Sequence, residues 1–417
     1  MLAPVILAGC GRPPSVVADA SSSPDPVDRG ADEPAEIQRL LDRRRADPDD
    51  GASRAVLARY YASRDPARAR ALLSELAAIP AWDHPLDHRA FAALADDPEV
   101  ARIRELLAAR APKPAPSSIV LELDLVGIAP EGIAWDPRRR ELLLGSMRQR
   151  SIIAVTLEGR TRVVIPAAQD GLLSVLGIDV DAGRDVLWAV STAAPGMEGA
   201  PAPGGEAPAI FAFDLERGVT LGRWPSPLED SLLNDVIALA DGSAYVTDST
   251  HGALLRRPVD AASGDLEVFL PASTFVGPNG LVGGVDGRSI YVADFDGIHR
   301  VDLVDRRHER LRPPAGVATL GGIDGLERSG STLLGVQNVF DAGRVWAVEL
   351  DASGRSITAA RVIDANHPRY AGPTTGAIVD DRFLYLADAF VAVEGDAATP
   401  GRRHTILGLP LAVAAGE

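Results

Sequence analysis

Lysine and cysteine are almost missing from this 417-residue chain: Lys113 and Cys10 are the only ones. A single cysteine excludes a disulfide within the chain and a zinc site built on cysteines. With its one lysine among prolines, covalent catalysis through a lysine amine is excluded too. Aromatic residues make up 5%, and positive charge is short: 42 Lys and Arg face 58 Asp and Glu, a formal net charge of −16. Without a basic stripe to displace counterions, nucleic acid is excluded as a partner. No stretch is long and apolar enough to span a bilayer as a helix. The sequence also has no phosphate-cradling loop, no HExxH and no G-x-S-x-G nucleophile elbow.

What is plentiful is glycine (40), proline (32) and apolar residues (46%), the composition of many short strands and turns around a full core. A short signature recurs six times: Glu131-Gly132-Ile133, Leu176-Gly177-Ile178, Asn234-Asp235-Val236, Asn279-Gly280-Leu281, Asp324-Gly325-Leu326 and Thr375-Gly376-Ala377. The first residues lie 45, 58, 45, 45 and 51 positions apart, a unit of about 45 residues with two insertions. A period of that length means a repeat fold. Each unit reads as four strands, the first opened by the signature, which is the pattern of a propeller blade. The sixth unit reaches only its third strand, and the strand-like stretch from Ile119 to Val126 belongs to no complete unit. Supplied to the last blade, it closes the ring and removes an open sheet edge. The expected fold is mainly β: a six-bladed β-propeller over 118–417, preceded by a small α-helical module.

That module spans 34–110. Ile37, Leu40 and Leu41, then Leu57, Tyr60 and Tyr61, then Leu72, Leu73 and Leu76 recur at helical spacing, and Asp-Pro pairs at 47, 65 and 97 mark helix starts. It faintly resembles paired helices of the tetratricopeptide kind, and reads as a packing unit or as a docking module for a protein partner. His84 and His88 are an i, i+4 pair, but Pro85 between them argues against one helix face and against a metal site. Residues 111–117 are a proline-rich linker. Near the start, Leu7-Ala8-Gly9-Cys10 resembles the lipobox of bacterial lipoproteins, although only nine residues precede Cys10 and none is basic. The resemblance implies lipidation at Cys10, a tether over the rest of 1–33, and a place in the bacterial cell envelope, with membrane contact through the lipid anchor alone.

The inner strand of each blade starts near the propeller axis on one face, so the first slots of the signature converge there. Glu131, Asn234, Asn279 and Asp324 then form a ring of oxygens, while Leu176 and Thr375 do not contribute. Such a ring suits a hard divalent cation, calcium first, which takes 6–8 oxygens and would leave positions for water and a small-molecule substrate. Magnesium, manganese or zinc are alternatives. The plainer reading is that Asn-Gly and Asp-Gly are turn chemistry at strand starts.

The stretches Pro130-Glu-Gly-Ile-Ala-Trp-Asp136, Asn234-Asp-Val-Ile-Ala-Leu-Ala-Asp-Gly242, Pro278-Asn-Gly-Leu281 and Ile323-Asp-Gly-Leu326 resemble the senescence-marker-protein-30/gluconolactonase superfamily of six-bladed propellers, over about Ser118 to Leu411. The resemblance implies a metal-dependent hydrolase acting on a lactone or ester. It implies Glu131, Asn279 and Asp324 as primary metal ligands, Asn234 as a fourth ligand or substrate contact, and Asp324 as the catalytic base. Sugar lactonases similar to regucalcin often carry an arginine two residues before the Asn of the Asn-Asp motif; this chain has Leu232 and Leu233 there, which favours a more apolar lactone or ester. Loops on the same face bring His251, Phe295, Phe340 and Phe390 toward the pocket rim, and His367 approaches from the fifth blade. His251 and His367 are the candidate substrate contacts. The insertion from Thr192 to Pro208 reads as a lid or a tolerated loop, and Asp248, Asp294 and Asp388 as structural carboxylates. The competing reading is a non-catalytic propeller of the cell envelope that binds a ligand or a protein, since propellers serve both roles.

Overall fold

The structure, a computed structural model, describes residues 33–86, 90–113, 117–125, 127–199, 205–259, 264–340, 343–389 and 403–415. Cys10 and its tether, His88 and Phe390 lie outside the described residues.

Twenty-four strands form six four-stranded antiparallel sheets. Blade one is β2 (Pro130–Asp136), β3 (Glu141–Ser146), β4 (Ile152–Thr156) and β5 (Thr161–Ile165); blade two is β6 (Ser174–Asp181), β7 (Val186–Thr192), β8 (Ala209–Asp214) and β9 (Val219–Pro225). Blade three is β10 (Leu233–Ala238), β11 (Ala244–Asp248), β12 (Ala253–Arg257) and β13 (Glu267–Leu270); blade four is β14 (Leu281–Gly283), β15 (Ser289–Ala293), β16 (Ile298–Asp302) and β17 (Arg307–Arg310). Blade five is β18 (Ile323–Ser329), β19 (Thr332–Gln337), β20 (Arg344–Leu350) and β21 (Ile357–Ala365). Blade six takes β22 (Gly376–Val379), β23 (Arg382–Leu386) and β24 (His404–Pro410) from the end of the chain, and its outer strand is β1 (Ser118–Leu123), paired antiparallel with β24 from Ser118–Gly408 to Leu123–His404. The fold is the six-bladed propeller expected, with the clasp expected.

The signature has a structural cause that its turn-like sequence hides. In blades one, two, three and five the register between inner and second strand shifts within it, between Pro130 and Ile133, Val175 and Ile178, Leu233 and Val236, and Ile323 and Leu326. A bulge leaves residues without a cross-strand partner and re-aims them. The first slot is thereby freed from the ladder, and the aliphatic third slot returns to register and is buried. The glycine of the second slot answers to space rather than to a left-handed backbone. A Cβ on Gly132 would sit 2.1 Å from the Leu176 carbonyl oxygen, on Gly177 2.5 Å from Asp235 Cα, on Gly280 2.3 Å from the Asp324 oxygen, and on Gly325 2.6 Å from Thr375 Cα. Neighbouring inner strands therefore touch backbone to backbone, and they bond there: Gly280 N donates to Asp324 O (2.7 Å) and Gly325 N to Thr374 O (3.0 Å). The Thr375 hydroxyl closes the ring onto the Glu131 carbonyl.

The helical module comprises α1 (Ala35–Ala46), α2 (Gly51–Tyr61), α3 (Pro66–Ala78), a single 3-10 turn at Ala92–Leu94 and α4 (Pro98–Arg110); a short α5 (Leu411–Ala415), absent from the sequence reading, follows β24. Asp65 and Asp97 cap α3 and α4, accepting from Arg68 N (3.1 Å) and Glu99 N (2.9 Å) with proline next in line, as the Asp-Pro pairs predict. The pair at 47 does not start a helix. The cap of α2 is Asp50, which accepts from Ser53 N at 2.9 Å.

The module's core continues into the propeller: Leu57, Leu72, Trp82 and Phe91 form one apolar cluster with Phe295 and Phe340. Those two phenylalanines come from the β15–β16 and β19–β20 turns, so they lie under the helices and not on an open pocket rim. Residues 194–199 of the blade-two insertion lie against blade one, where Arg148 Nε reaches Glu198 (2.8 Å) and Arg150 Nη1 the Gly199 carbonyl (2.9 Å).

Replacing Gly132 by alanine tests the contact between inner strands. Gly132→Ala is expected to cost about 2–4 kcal/mol, as overpacking against a fixed backbone does, read as a lowered denaturation midpoint at unchanged m-value.

A candidate cation site on the propeller axis

Glu131 of blade one and Asp324 of blade five, with blade six between them, are both 2% exposed. The bulge aims each inward, and among the described residues neither finds a cationic side chain. The charges that bear on Glu131 are Asp324 and Asp235, both negative; burial first, then these two, push its carboxyl well above the ordinary range. Glu131 Oε2 is buried without a hydrogen-bond partner. Asp324 is pushed up by burial as well, although hydrogen bonds from Asn338 and Asn279 pull it back. Asn279 Nδ2 donates to Asp324 Oδ1 at 2.6 Å, and Asn338 Nδ2 donates to Oδ2 and to the Pro373 carbonyl, the latter at 2.9 Å.

Asn234, 7% exposed, joins through a relay. Its Nδ2 donates to Ser249 Oγ (2.9 Å), which donates to the carbonyl of Pro278 (2.6 Å), the residue before Asn279. The donor end of the Asn234 amide is thus committed to the blade-three turn. The four slot residues accordingly form a chain of contacts: Asn279 binds Asp324 directly, Glu131 feels it by charge, and Asn234 reaches Asn279 through Ser249 and the backbone.

Among the described residues no group of three or more His, Cys, Asp or Glu side chains is placed to hold a metal ion. The donor set offered here is of another kind, two carboxylates and two amides. Its chemistry fits a hard divalent cation: two buried like charges with one orphaned oxygen and only neutral donors around them are what such an ion relieves.

His251 and His367 are not drawn into this set. His251, in the β11–β12 turn on the same face, places Nδ1 2.8 Å from Asp248 Oδ2, which also accepts from Ser231 Oγ (2.7 Å). His367 Nδ1 accepts from Arg369 N (3.1 Å) and caps its own turn. Neither makes a hydrogen bond to the slot residues among the described residues. Asp248, Asp294 and Asp388 accept backbone N–H groups, from Thr250 and His251, from Val276, Asp296 and Gly297, and from Thr405.

The sequence reading missed a second tier of carboxylates. Asp235, in the slot that elsewhere holds glycine, accepts from Leu281 N of the next blade (3.2 Å), and Asp179 Oδ2 accepts from Ala238 N (2.7 Å). Glu327 stands in blade five, yet the charges that raise it are Asp179 and Asp235 of blades two and three, so the three meet across the axis. Burial pushes Asp179 up to about 6, Asp235 to about 7 and Glu327 to about 8. Asp179 and Glu327 each follow a first slot by three positions, the signal that could have found them.

No protein-family profile matches the chain, and no curated protein matches it in sequence. Solved structures do. The major allergen Mala s 1 of Malassezia sympodialis superposes with a TM-score of 0.53 at 13% identity, covering 70% of this chain and 95% of that one. A gluconolactonase from Xanthomonas campestris gives 0.46 at 16% identity (71% and 96% covered), and a PQQ-bound aldose sugar dehydrogenase from Streptomyces coelicolor 0.47 at 17% (72% and 99%). Likeness at such identities shows the fold alone, and these proteins share no one activity.

The raised carboxyls fix a pH dependence. The folded chain holds protons that the unfolded chain releases between about pH 4 and about pH 8, so cation-free stability falls as pH rises through that window. Glu327→Gln is expected to stabilise the cation-free protein by at least about 1 kcal/mol at pH 8 and by nothing at pH 4, measured by denaturant unfolding at the two pH values.

Proposed function

We propose that this propeller is a divalent-cation-dependent hydrolase, with calcium the leading ion, acting on a lactone or ester. The observation that carries the reading is the buried Glu131–Asp324 pair with its unpartnered Oε2. The reaction class rests on the resemblance of the signature stretches to lactonases. Glu131, Asn279 and Asp324 would hold the ion, with Asn234 as fourth ligand or substrate contact. When bound, the ion supplies Lewis-acid polarisation of a carbonyl oxygen.

The chain's own part is to bind and orient. Asn279 and Asn338 fix both oxygens of Asp324, so this carboxylate has one orientation from which to take a proton from an attacking water. Its raised proton affinity, set by burial, suits a base that must hold that proton through the step. Leu232 and Leu233 are buried and carry no charge. They give a polyhydroxylated substrate nothing to grip, which supports an apolar acyl group. Lipid anchoring at Cys10 in the cell envelope belongs to the same proposal.

Titration calorimetry with calcium on chelator-treated protein tests the binding half, with one site expected and an affinity lowered about 100-fold or more in Glu131→Gln. A panel of lactones and aryl esters tests the reaction, with Asp324→Asn expected to lower turnover about 100-fold or more. Calcium bound with no hydrolysis of any panel member would leave a binding propeller. Absence of stoichiometric binding of any divalent ion would sink the site itself.

A further inference from the structure

The strand carrying Asp324 is reached through Gly321 and Gly322, and both walls of that approach belong to turns covered by the helical module. A Cβ on Gly321 would sit 2.0 Å from the Phe295 carbonyl oxygen, and one on Gly322 2.6 Å from Val339 Cβ. The module grips both walls. Arg43 pairs with Asp296 and lies over the Phe295 ring, 5.5 Å from its centroid. Arg59 Nη1 donates to the Val339 carbonyl at 2.7 Å, and His84 Nδ1 donates to the Phe340 carbonyl at 3.2 Å. Asp83, beside His84, takes Arg344 at the start of β20 (2.9 Å). Apolar packing of Trp82 on Phe340, with centroids 5.4 Å apart, would hold the module in place without fixing these carbonyls. The two carbonyls belong to the residues that directly follow Asn338, whose Nδ2 holds Asp324.

We infer that the helical module is a positioning element of the axial site: Arg59 and His84 fix the 338–340 turn, and through Asn338 they set the orientation of the Asp324 carboxylate. The inference rests on Asp324 being the centre of the proposed site. Arg59 and His84 are positioning residues, since they act through Asn338 and touch neither Asp324 nor a ligand.

The test uses the full chain without added metal. The side-chain amide signal of Asn338, assigned by its loss in Asn338→Ala, is followed by nitrogen–proton NMR in Arg59→Met, Arg59→Lys and Arg44→Met. Arg44 pairs with Glu75 inside the module, so its replacement loosens the helices without touching the turn. The expected result is an Asn338 amide shifted toward the free-amide position in Arg59→Met, restored in Arg59→Lys, which can still donate, and unmoved in Arg44→Met. His84→Leu removes the second donor and is read in the same way if Arg59→Met does not fold. Calcium affinity should fall roughly 3- to 10-fold in Arg59→Met, and no further when that change is added to Asn338→Ala. If the wild-type chain binds no calcium, the cation reading fails and the amide signal alone decides. An Asn338 signal that stays put in both Arg59→Met and His84→Leu, or moves equally in Arg44→Met, overturns the inference.

Discussion

Six strands converge on one axis, and where they meet there is no room for a Cβ. This crowding governs the rest of the structure. It requires glycine in the second slot at 132, 177, 280 and 325, and the inner strand bulges at this slot in four blades, beside Gly132, Gly177, Asp235 and Gly325. The bulge releases the preceding residue from strand pairing. Whatever sits there must face the axis in company with its counterparts from other blades. Packing and site geometry therefore have one cause, and a change made to relieve the first would disturb the second. Blade three shows the limit of the rule. Asp235 fits where glycine is otherwise used because its carboxylate bonds the neighbouring strand at Leu281 N instead of colliding with it.

The same convergence stores electrostatic cost. Glu131, Asp324, Asp235, Asp179 and Glu327 approach one another across the axis, and the groups that compensate them are amides, backbone N–H donors and, for Glu327, the charge of Arg328. Their carboxyls are all held above the ordinary range, which means that ionising them works against the fold. Stability must come from elsewhere, and the continuous apolar clusters between successive blades, together with the β1–β24 clasp, are its visible source. Carboxyls shifted in this way gather at functional sites, and structural networks produce them as well.

How much of this was legible in the sequence follows from distance along the chain. The blade count and the clasp were readable because each rests on a local pattern repeated at a fixed interval. The slot residues were readable because the same interval brings them into register. Asn338 was not recognised as the partner of Asp324, because the contact joins the end of one strand to the start of another and leaves no period. Asp179 and Glu327 carry a fixed offset from their slots, but Ala134 and Ile237 at the same offset mask it. Phe295 and Phe340 were placed on an open rim because a turn after a second strand looks exposed; nothing in the residues themselves says that helices from 35–110 cover them. Asp47-Pro48 misled for a similar reason. A capping pair is a local signal, and Asp50 three residues on could satisfy the same helix.

Fold and reaction separate at this point. Propellers serve as enzymes and as binding scaffolds alike, so the ring of blades by itself selects no chemistry. What can differ between such rings is the content of the slots and what lies over the face they open on. In this chain the turns of blades four and five, which flank Asp324, lie beneath helices, and the polar grip of Arg43, Arg59 and His84 falls on the backbone on either side of its approach. A carboxylate whose two oxygens are each held by an amide, on a strand whose approach is clamped from above, has little freedom to adapt to a ligand. On the proposed reading, selectivity would then reside in the wall that blade three presents, where buried Leu232 and Leu233 stand beside the His251–Asp248 pair and the Asn234–Ser249 contact.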